Sequence, residues 1–189
     1  MVIKNGRWLM LYELRDCRNG GAAVYGTRVN IIDEGETLFF EFVCEHSSYY
    51  CPQKGYNKLH AEGDICEILI GSDPLRRVYY EIEINPNGDM LLAKMHNLGD
   101  GENFATLLDI GFVEDCFVCG VAEKTDFGYT ASLRFKKSDV MTGDGELYFN
   151  AYRHDTDGEE TDRHLIALVP TMQPRFHVPE KFVYVKDYV

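Results

Sequence analysis

Apolar and polar residues alternate along many short segments of this chain. Between Arg77 and Ile84, apolar or aromatic side chains at even positions alternate with charged or aromatic side chains at odd positions. A period of two places one set of side chains on a buried face and the other on a solvated face, as in an antiparallel sheet. The strands predicted in this way are Trp8–Leu14, Ala22–Val29, Thr37–Cys44, Ile65–Ile70, Arg76–Ile84, Met90–Met95, Cys116–Ala122, Tyr129–Phe135, Leu147–Tyr152 and His164–Val169.

Turn-forming residues separate these segments, and helical patterns are rare. The runs GSDP at 71–74 and NPNG at 85–88 are typical of turns between strands. Only Lys136–Val140 predicts a helical turn. Many short strands without intervening helices predict an all-β fold, an antiparallel β-sandwich of the jelly-roll or immunoglobulin-like kind. Two longer segments, Glu45–Gly63 and Thr171–Lys181, are predicted to be loops.

The composition is that of a globular, acidic protein. The chain has 189 residues, of which 45% are hydrophobic and 26% charged, and its formal net charge is −12. This length predicts one domain over residues 1–189. The negative charge argues against a nucleic-acid partner, because phosphate backbones require clustered Lys and Arg. No stretch is apolar enough to predict a membrane partner or a secretory signal, so a cytoplasmic location is expected, or an extracellular one if a leader was removed.

The six cysteines suit free, partly buried thiols better than a disulfide framework, because their spacing is irregular. Cys116 and Cys119 form a lone CxxC motif without two further ligands at comparable spacing. The group Cys44, His46 and Cys51 is equally unspecific. Neither group predicts a metal site.

The acidic run DTDGEE at residues 155–160 offers closely spaced oxygen ligands, which suit calcium. It lacks the third acidic position and the spacing of an EF-hand loop. A solvated acidic turn is the favoured interpretation, since Asp and Gly are common at hairpin tips. Calcium is therefore the one cofactor that the sequence leaves open.

The odd-numbered face of the segment 77–84 combines Tyr79 with the carboxylates of Glu81 and Glu83. Aromatic rings stack on the C–H faces of pyranose rings, and carboxylates accept hydrogen bonds from hydroxyls, so this mixture suits a sugar. Glu67 is a lone carboxylate on an otherwise apolar strand, where burial is costly. Either its face opens onto a ligand site, or Glu67 pairs with an arginine such as Arg153.

Several segments, in the same order along the chain, resemble family 9 carbohydrate-binding modules, which are β-sandwiches attached to xylanases that grip the ends of sugar chains. The resemblance covers roughly residues 36–185, and its motifs are short. The segments are DICEILI at 64–70, YYEIEIN at 79–85, GYTASLRFKKSDV at 128–140, LYFNAYR at 147–153 and FHVPEKF at 176–182.

The resemblance implies roles for particular residues. Glu67 matches a carboxylate that bonds sugar hydroxyls in the family, and a sugar-binding arginine of the family falls near Glu83. Two tryptophans clamp the sugar in the family; their positions here are His60 or Ala61 and Phe176, so neither is tryptophan. The resulting candidate ligand-binding residues are Glu67, Phe176, His60, Tyr79, Glu83 and His177, with Glu81 beside them.

The expected function is non-catalytic binding of a mono- or oligosaccharide end, linked to the breakdown of polysaccharides such as xylan, with a glycoside hydrolase as partner. One alternative is a small glycoside hydrolase that pairs Glu67 with Glu81 or Glu83, although no catalytic motif is evident. Another is an interaction module whose sugar site has decayed. In that alternative Phe176 is expected to pack as core.

Overall fold

The computed structural model describes residues 2–4, 7–46, 48–59, 63–98, 108–113, 118–156 and 163–189. These residues form short strands and three brief 3₁₀ helices, Lys137–Val140, Pro179–Lys181 and Val185–Asp187. The strands are β1 (Val2–Lys4), β2 (Arg7–Leu9), β3 (Leu11–Glu13), β4 (Arg15–Asp16), β5 (Thr27–Asp33), β6 (Thr37–Glu45), β7 (Ile65–Gly71), β8 (Val78–Ile84), β9 (Met90–Asn97), β10 (Leu108–Phe112), β11 (Cys119–Thr125), β12 (Gly128–Lys136), β13 (Tyr148–Thr156), β14 (Arg163–Ala167) and β15 (Val183–Tyr184).

Two antiparallel sheets form a sandwich, which confirms the predicted fold class. The larger sheet has the strand order β10-β9-β8-β7-β13-β14-β4, and β15 also pairs with β13. The smaller sheet has the order β11-β12-β6-β5-β3, while β1 and β2 pair only with each other. In the described part of the chain, no helix is long and apolar enough to cross a bilayer.

The core between the sheets is built from alternate positions of the facing strands. Ile68 and Ile82 from the larger sheet and Phe40 and Leu133 from the smaller one have no exposed surface. Their neighbours in sequence point away from this core because successive side chains of a strand lie on opposite faces. The ring of Phe40 packs edge-on against Phe149, with centroids 5.5 Å apart, so aromatic contacts also join the two layers.

The larger sheet is also buried on its outer face. A second apolar cluster there includes Leu69, Tyr79 and Tyr152, and the C-terminal segment contributes Phe176 and Phe182 to it. All seven residues of β7 are buried as a result. The prediction of a solvated outer face on β8 is therefore wrong, because chain after the last long strand lies across it.

Some strand boundaries differ from the predicted ones. The segment predicted as Ala22–Val29 is replaced by β5, where Thr27, Val29 and Ile31 face the core. Strand β10 was not predicted, since Asp109 and Gly111 interrupt its apolar pattern. It forms because β9 offers a free edge for backbone pairing.

Candidate functional site

The pairing of β7 with β8 brings three glutamates together on the outer face of the larger sheet. Glu67 lies directly opposite Glu83, and Leu69 lies opposite Glu81. Intervening residues such as Ile68 point into the core between the sheets. We call the set Glu67, Glu81 and Glu83 the acidic face. The structure thus unites the glutamates that the sequence marked as ligand candidates.

Two members of the acidic face are buried without full pairing. Glu67 and Glu83 are each 2% exposed. Oε1 of Glu67 and Oε2 of Glu83 accept no hydrogen bond from any described residue. Burial, and then the nearby carboxylates, raises the pKa of both groups well above the usual range. Each group therefore favours a proton or a ligand that supplies positive charge or hydrogen-bond donors.

Two histidines and a tyrosine border the acidic face. Tyr79 Oη and His177 Nδ1 are hydrogen-bonded at 3.0 Å, and His177 Nε2 lies 3.4 Å from Glu81 Oε1. His154 Nε2 lies 3.8 Å from Glu67 Oε2. Burial, followed by repulsion from Arg163 and His177, lowers the pKa of His154 to about 3, so this ring is neutral near pH 7. It does not neutralise Glu67.

Glu81 and the neighbouring His177 keep more contact with solvent than the other residues of this region. The side chains of Glu81 and His177 retain 12% and 22% exposure, whereas Tyr79 is only 1% exposed. The predicted ligand residue His60 lies outside the described residues. The binding role assigned to each of these residues stays a prediction.

Phe176 is packed as core beside the acidic face. Its ring is 4% exposed and stacks on Tyr152 with centroids 4.4 Å apart and planes 20° apart. The Tyr152 hydroxyl donates a hydrogen bond of 2.9 Å to the Phe176 carbonyl oxygen. An exposed stacking platform was expected at this position. The ring is covered instead because the C-terminal segment lies against the sheet. A hydrogen bond from Met172 N to the Cys17 carbonyl oxygen helps to hold this segment in place.

Arg153 is not the partner of Glu67, because it lies on the opposite face of the sheet, within the sandwich. Its Nη2 bonds Asp64 Oδ1 at 3.3 Å and also Asp155 Oδ1, and its Nη1 donates to Thr27 Oγ1 at 2.9 Å. His46 Nδ1 lies 2.9 Å from Asp155 Oδ1. We call Asp64, Arg153 and Asp155 the inner cluster.

The inner cluster changes the interpretation of the acidic run at 155–160. Asp155 belongs to β13 and has no exposed surface, so the expected solvated turn does not include it; residues 157–160 lie outside the described residues. Because one guanidinium already bonds both Asp64 and Asp155, these carboxylates do not fit a calcium ion between them.

The cysteines in the described part of the chain are free thiols. Cys44 and Cys66 meet between the sheets, with their Sγ atoms 3.5 Å apart. Cys51 is half-buried elsewhere. Among the described residues, Cys44, His46 and Cys51 are therefore not close enough together to bind one metal ion. Cys119 is exposed, and its CxxC partner lies outside the described residues.

A concave region lies at the end of the smaller sheet. It is a groove of about 760 Å³ whose lining includes Tyr25, Arg28, His46 and Phe127. The sequence gave no sign of it, because Arg28 lies in β5, whereas Tyr25 precedes β5, His46 follows β6 and Phe127 lies in a hairpin turn. Arg28 is paired with Glu45, another residue of the lining, at 2.7 Å, so its charge is already balanced.

Comparison with known proteins shows similarity in fold and none in sequence. No protein-family model matches the chain, and no curated protein matches its sequence. A crystal structure of a Bacteroides uniformis protein proposed to bind carbohydrate is similar over 94% of this chain and 85% of that one, with a TM-score of 0.69 and 15% identity.

Two structures of a family 9 carbohydrate-binding module from Caldicellulosiruptor kristjanssonii are also similar. The complex with cellotriose has a TM-score of 0.56 and 12% identity, over 92% of this chain and 80% of that one. The complex with glucose has a TM-score of 0.53 and 13% identity, over 91% and 82% respectively. At these identities the likeness establishes a shared fold, the β-sandwich of family 9 modules.

Proposed function

We propose that this protein binds the end of a saccharide without catalysis, at the acidic face. The observation that carries the proposal is the buried Glu67 carboxylate, whose Oε1 accepts no hydrogen bond from the described residues. Sugar hydroxyls are neutral donors that satisfy such an oxygen without adding charge. The proposal is supported by the fold shared with modules solved with glucose and cellotriose, and by the resemblance at Glu67.

Recognition would rest on hydrogen bonds more than on stacking. The rings of Tyr79 and Phe176 are covered by other residues and present no open face to a pyranose. Glu81 and His177 keep partial side-chain exposure, and their ligand atoms lie within 4.8 Å of that of Glu67. We therefore expect weak binding of mono- or disaccharides, because stacking contacts normally add much of the affinity for sugars.

A link to polysaccharide breakdown belongs to the same proposal. Xylan or cellulose fragments are the candidate sources of the saccharide, a glycoside hydrolase is the candidate partner and the cytoplasm the candidate location. The resemblance to xylanase-associated modules supports the first two elements.

Isothermal titration with glucose, cellobiose, cellotriose and xylobiose tests the proposal. We expect saturable binding to the wild type, at least tenfold weaker binding to Glu67→Gln, and unchanged binding to Glu146→Gln. Glu146 is a matched control because it is a surface glutamate paired with Lys186. Absence of binding to every sugar would favour the interaction-module alternative, which the core packing of Phe176 also fits.

A glycoside hydrolase is the second candidate, because carboxylate oxygens of Glu67 and Glu81 lie within 4.8 Å of each other and burial raises the pKa of Glu67. Retaining glycosidases use carboxyl groups about 5 Å apart, one of them protonated. Release of reducing sugar from xylan or cello-oligosaccharides by the wild type, with loss in Glu67→Gln, would establish this alternative. Sugar binding without release would exclude it.

A further inference from the structure

We propose that Glu67, Glu81 and His177 form a binding site for a divalent transition-metal ion of the Zn²⁺ or Mn²⁺ type. Each residue supplies one ligand atom, and these atoms all lie within 4.8 Å of one another. Two carboxylates and one imidazole make a mixed oxygen and nitrogen set, which suits Zn²⁺ and Mn²⁺ better than Ca²⁺, an ion that prefers oxygen ligands alone.

The distances approach those of a metal centre. Two ligands at about 2.1 Å from a tetrahedral ion are about 3.4 Å apart. The Nε2 atom of His177 and Oε1 of Glu81 are separated by 3.4 Å. The ligand atom of Glu67 lies within 4.8 Å of the other two, so binding of the ion would draw the three groups closer together. Three protein ligands leave coordination positions open for water or another ligand.

His177 is held in the orientation that a ligand needs. Its Nδ1 is hydrogen-bonded to Tyr79 Oη at 3.0 Å, while its Nε2 faces Glu81. When Nδ1 carries the proton and donates to the hydroxyl, the Nε2 lone pair points at the carboxylates. Metal-binding histidines are commonly oriented by a hydrogen bond at the other ring nitrogen. Tyr79 is therefore a positioning residue for this site.

Glu83 gives a second indication of a ligand at this place. Glu83 is outside the proposed ligand set and lies opposite Glu67 in the strand register. Its side chain is buried, with 2% exposure, and its Oε2 accepts no hydrogen bond from any described residue. Among the described residues, the acidic face forms ion pairs with His154 and His177 and with no lysine or arginine. A buried acidic group of this kind lacks the positive charge that a bound cation would supply.

Metal titration of the full chain tests the site after chelator treatment. We expect Zn²⁺ or Mn²⁺ to bind with 1:1 stoichiometry by calorimetry, more tightly than Ca²⁺ or Mg²⁺. Glu67→Gln, Glu81→Gln and His177→Gln should each weaken binding at least tenfold, Tyr79→Phe about tenfold, and Glu146→Gln not at all. Far-UV circular dichroism identifies variants that fold, and Glu81→Gln, at the least buried carboxylate, keeps the test decisive if Glu67→Gln fails to fold.

Cobalt substitution separates this site from the thiols. Co²⁺ bound by carboxylate and imidazole gives d–d absorption without the thiolate-to-metal charge-transfer band. That spectrum, lost in His177→Gln and retained in Cys119→Ser, supports the proposal. A thiolate band, or 1:1 binding that survives in all three ligand variants, would overturn it, as would the absence of saturable binding.

The ion would also take part in sugar recognition, a step that rests on the proposed function. Hydroxyl groups of a saccharide can fill the coordination positions that the protein leaves open. We expect glucose or cellobiose to bind at least tenfold more tightly with the metal than after chelation. If sugar binds equally well with and without the metal, only this step is overturned. If the metal binds but no sugar does, the proposed function is overturned and the metal site is retained.

Discussion

Among the described residues, the inner cluster and the acidic face both bury carboxylates but differ in how their charge is balanced. In the inner cluster, Asp64 and Asp155 both bond the guanidinium of Arg153. On the acidic face, Glu67 and Glu83 lie side by side. Burial and neighbouring carboxylates raise the pKa of both groups, and no described lysine or arginine opposes this shift. Balanced charge holds two sheets together, whereas unbalanced charge costs stability unless a ligand offsets it. The comparison therefore places the candidate site on the acidic face.

The largest expected effect is the loss of the cation in the inner cluster. Arg153→Met should lower the free energy of unfolding by about 3–5 kcal/mol, because it removes the guanidinium that two buried carboxylates share. Urea unfolding followed by circular dichroism measures it. Arg28→Met is the matched control, since Arg28 bonds Glu45 on the surface, and it should change stability by no more than about 0.5 kcal/mol. Equal effects would show that the inner cluster is not the stabilising one.

Removal of the ring that covers the outer face comes next. Phe176→Ala should cost about 3 kcal/mol of unfolding free energy, because it deletes a ring stacked on Tyr152 and leaves a cavity. Phe127→Ala deletes a ring that is 79% exposed and should cost little. Urea denaturation of both variants makes the comparison. A small loss in Phe176→Ala would mean that this ring is available to a ligand instead of packed as core.

The pH dependence of stability should distinguish the two clusters. Folding raises the pKa of Glu67 and Glu83 above the unfolded value, so the native state binds more protons, and stability falls as the pH rises from about 4.5 through the folded pKa values. The slope is at most about 1.4 kcal/mol per pH unit for each group. Burial raises the pKa of Asp64 to about 6, so its contribution is lost mainly between about pH 4 and 6.

Urea unfolding of the metal-free protein between pH 6.5 and 8 therefore isolates the acidic face, because buried thiols such as Cys17, whose pKa burial raises, lower stability mainly above this range. Glu67→Gln and Glu83→Gln should each flatten the decline and raise stability at the alkaline end by about 1 kcal/mol. Glu146→Gln should leave the slope as it is, because that carboxylate is exposed. A wild-type stability that is level over this range would contradict the unbalanced charge of the acidic face.

The smallest expected effect concerns the hydrogen bond that orients His177. Tyr79→Phe removes the hydroxyl and keeps the buried ring, so it should lower the free energy of unfolding by only about 1 kcal/mol. Tyr80→Phe, on the opposite face of the same strand, is the matched control. A loss of metal affinity in Tyr79→Phe and none in Tyr80→Phe is the result expected of a positioning residue.

The amino-acid sequence by itself determined most of the long strands, the turns between them and which of their side chains share a face. Glu81 and Glu83 are two residues apart on one strand, and turn residues at 71–74 bring Glu67 beside them, so local periodicity sufficed. The antiparallel sandwich followed from the same pattern. The sequence left Arg153 open as a partner of Glu67, because the register that places Arg153 opposite Cys66, on the other face of the sheet, does not follow from local periodicity.

Only the tertiary structure decided which faces are covered. The C-terminal segment buries Phe176 and Tyr79 on a face whose alternation predicted contact with water. Likewise, Asp155 is drawn from a predicted surface turn into the core by Arg153. Alternation along a strand reports only that two faces differ, because covering a face depends on chain that is distant in sequence. Packing of that distant segment buries the glutamates of the acidic face without supplying a positive charge to balance them.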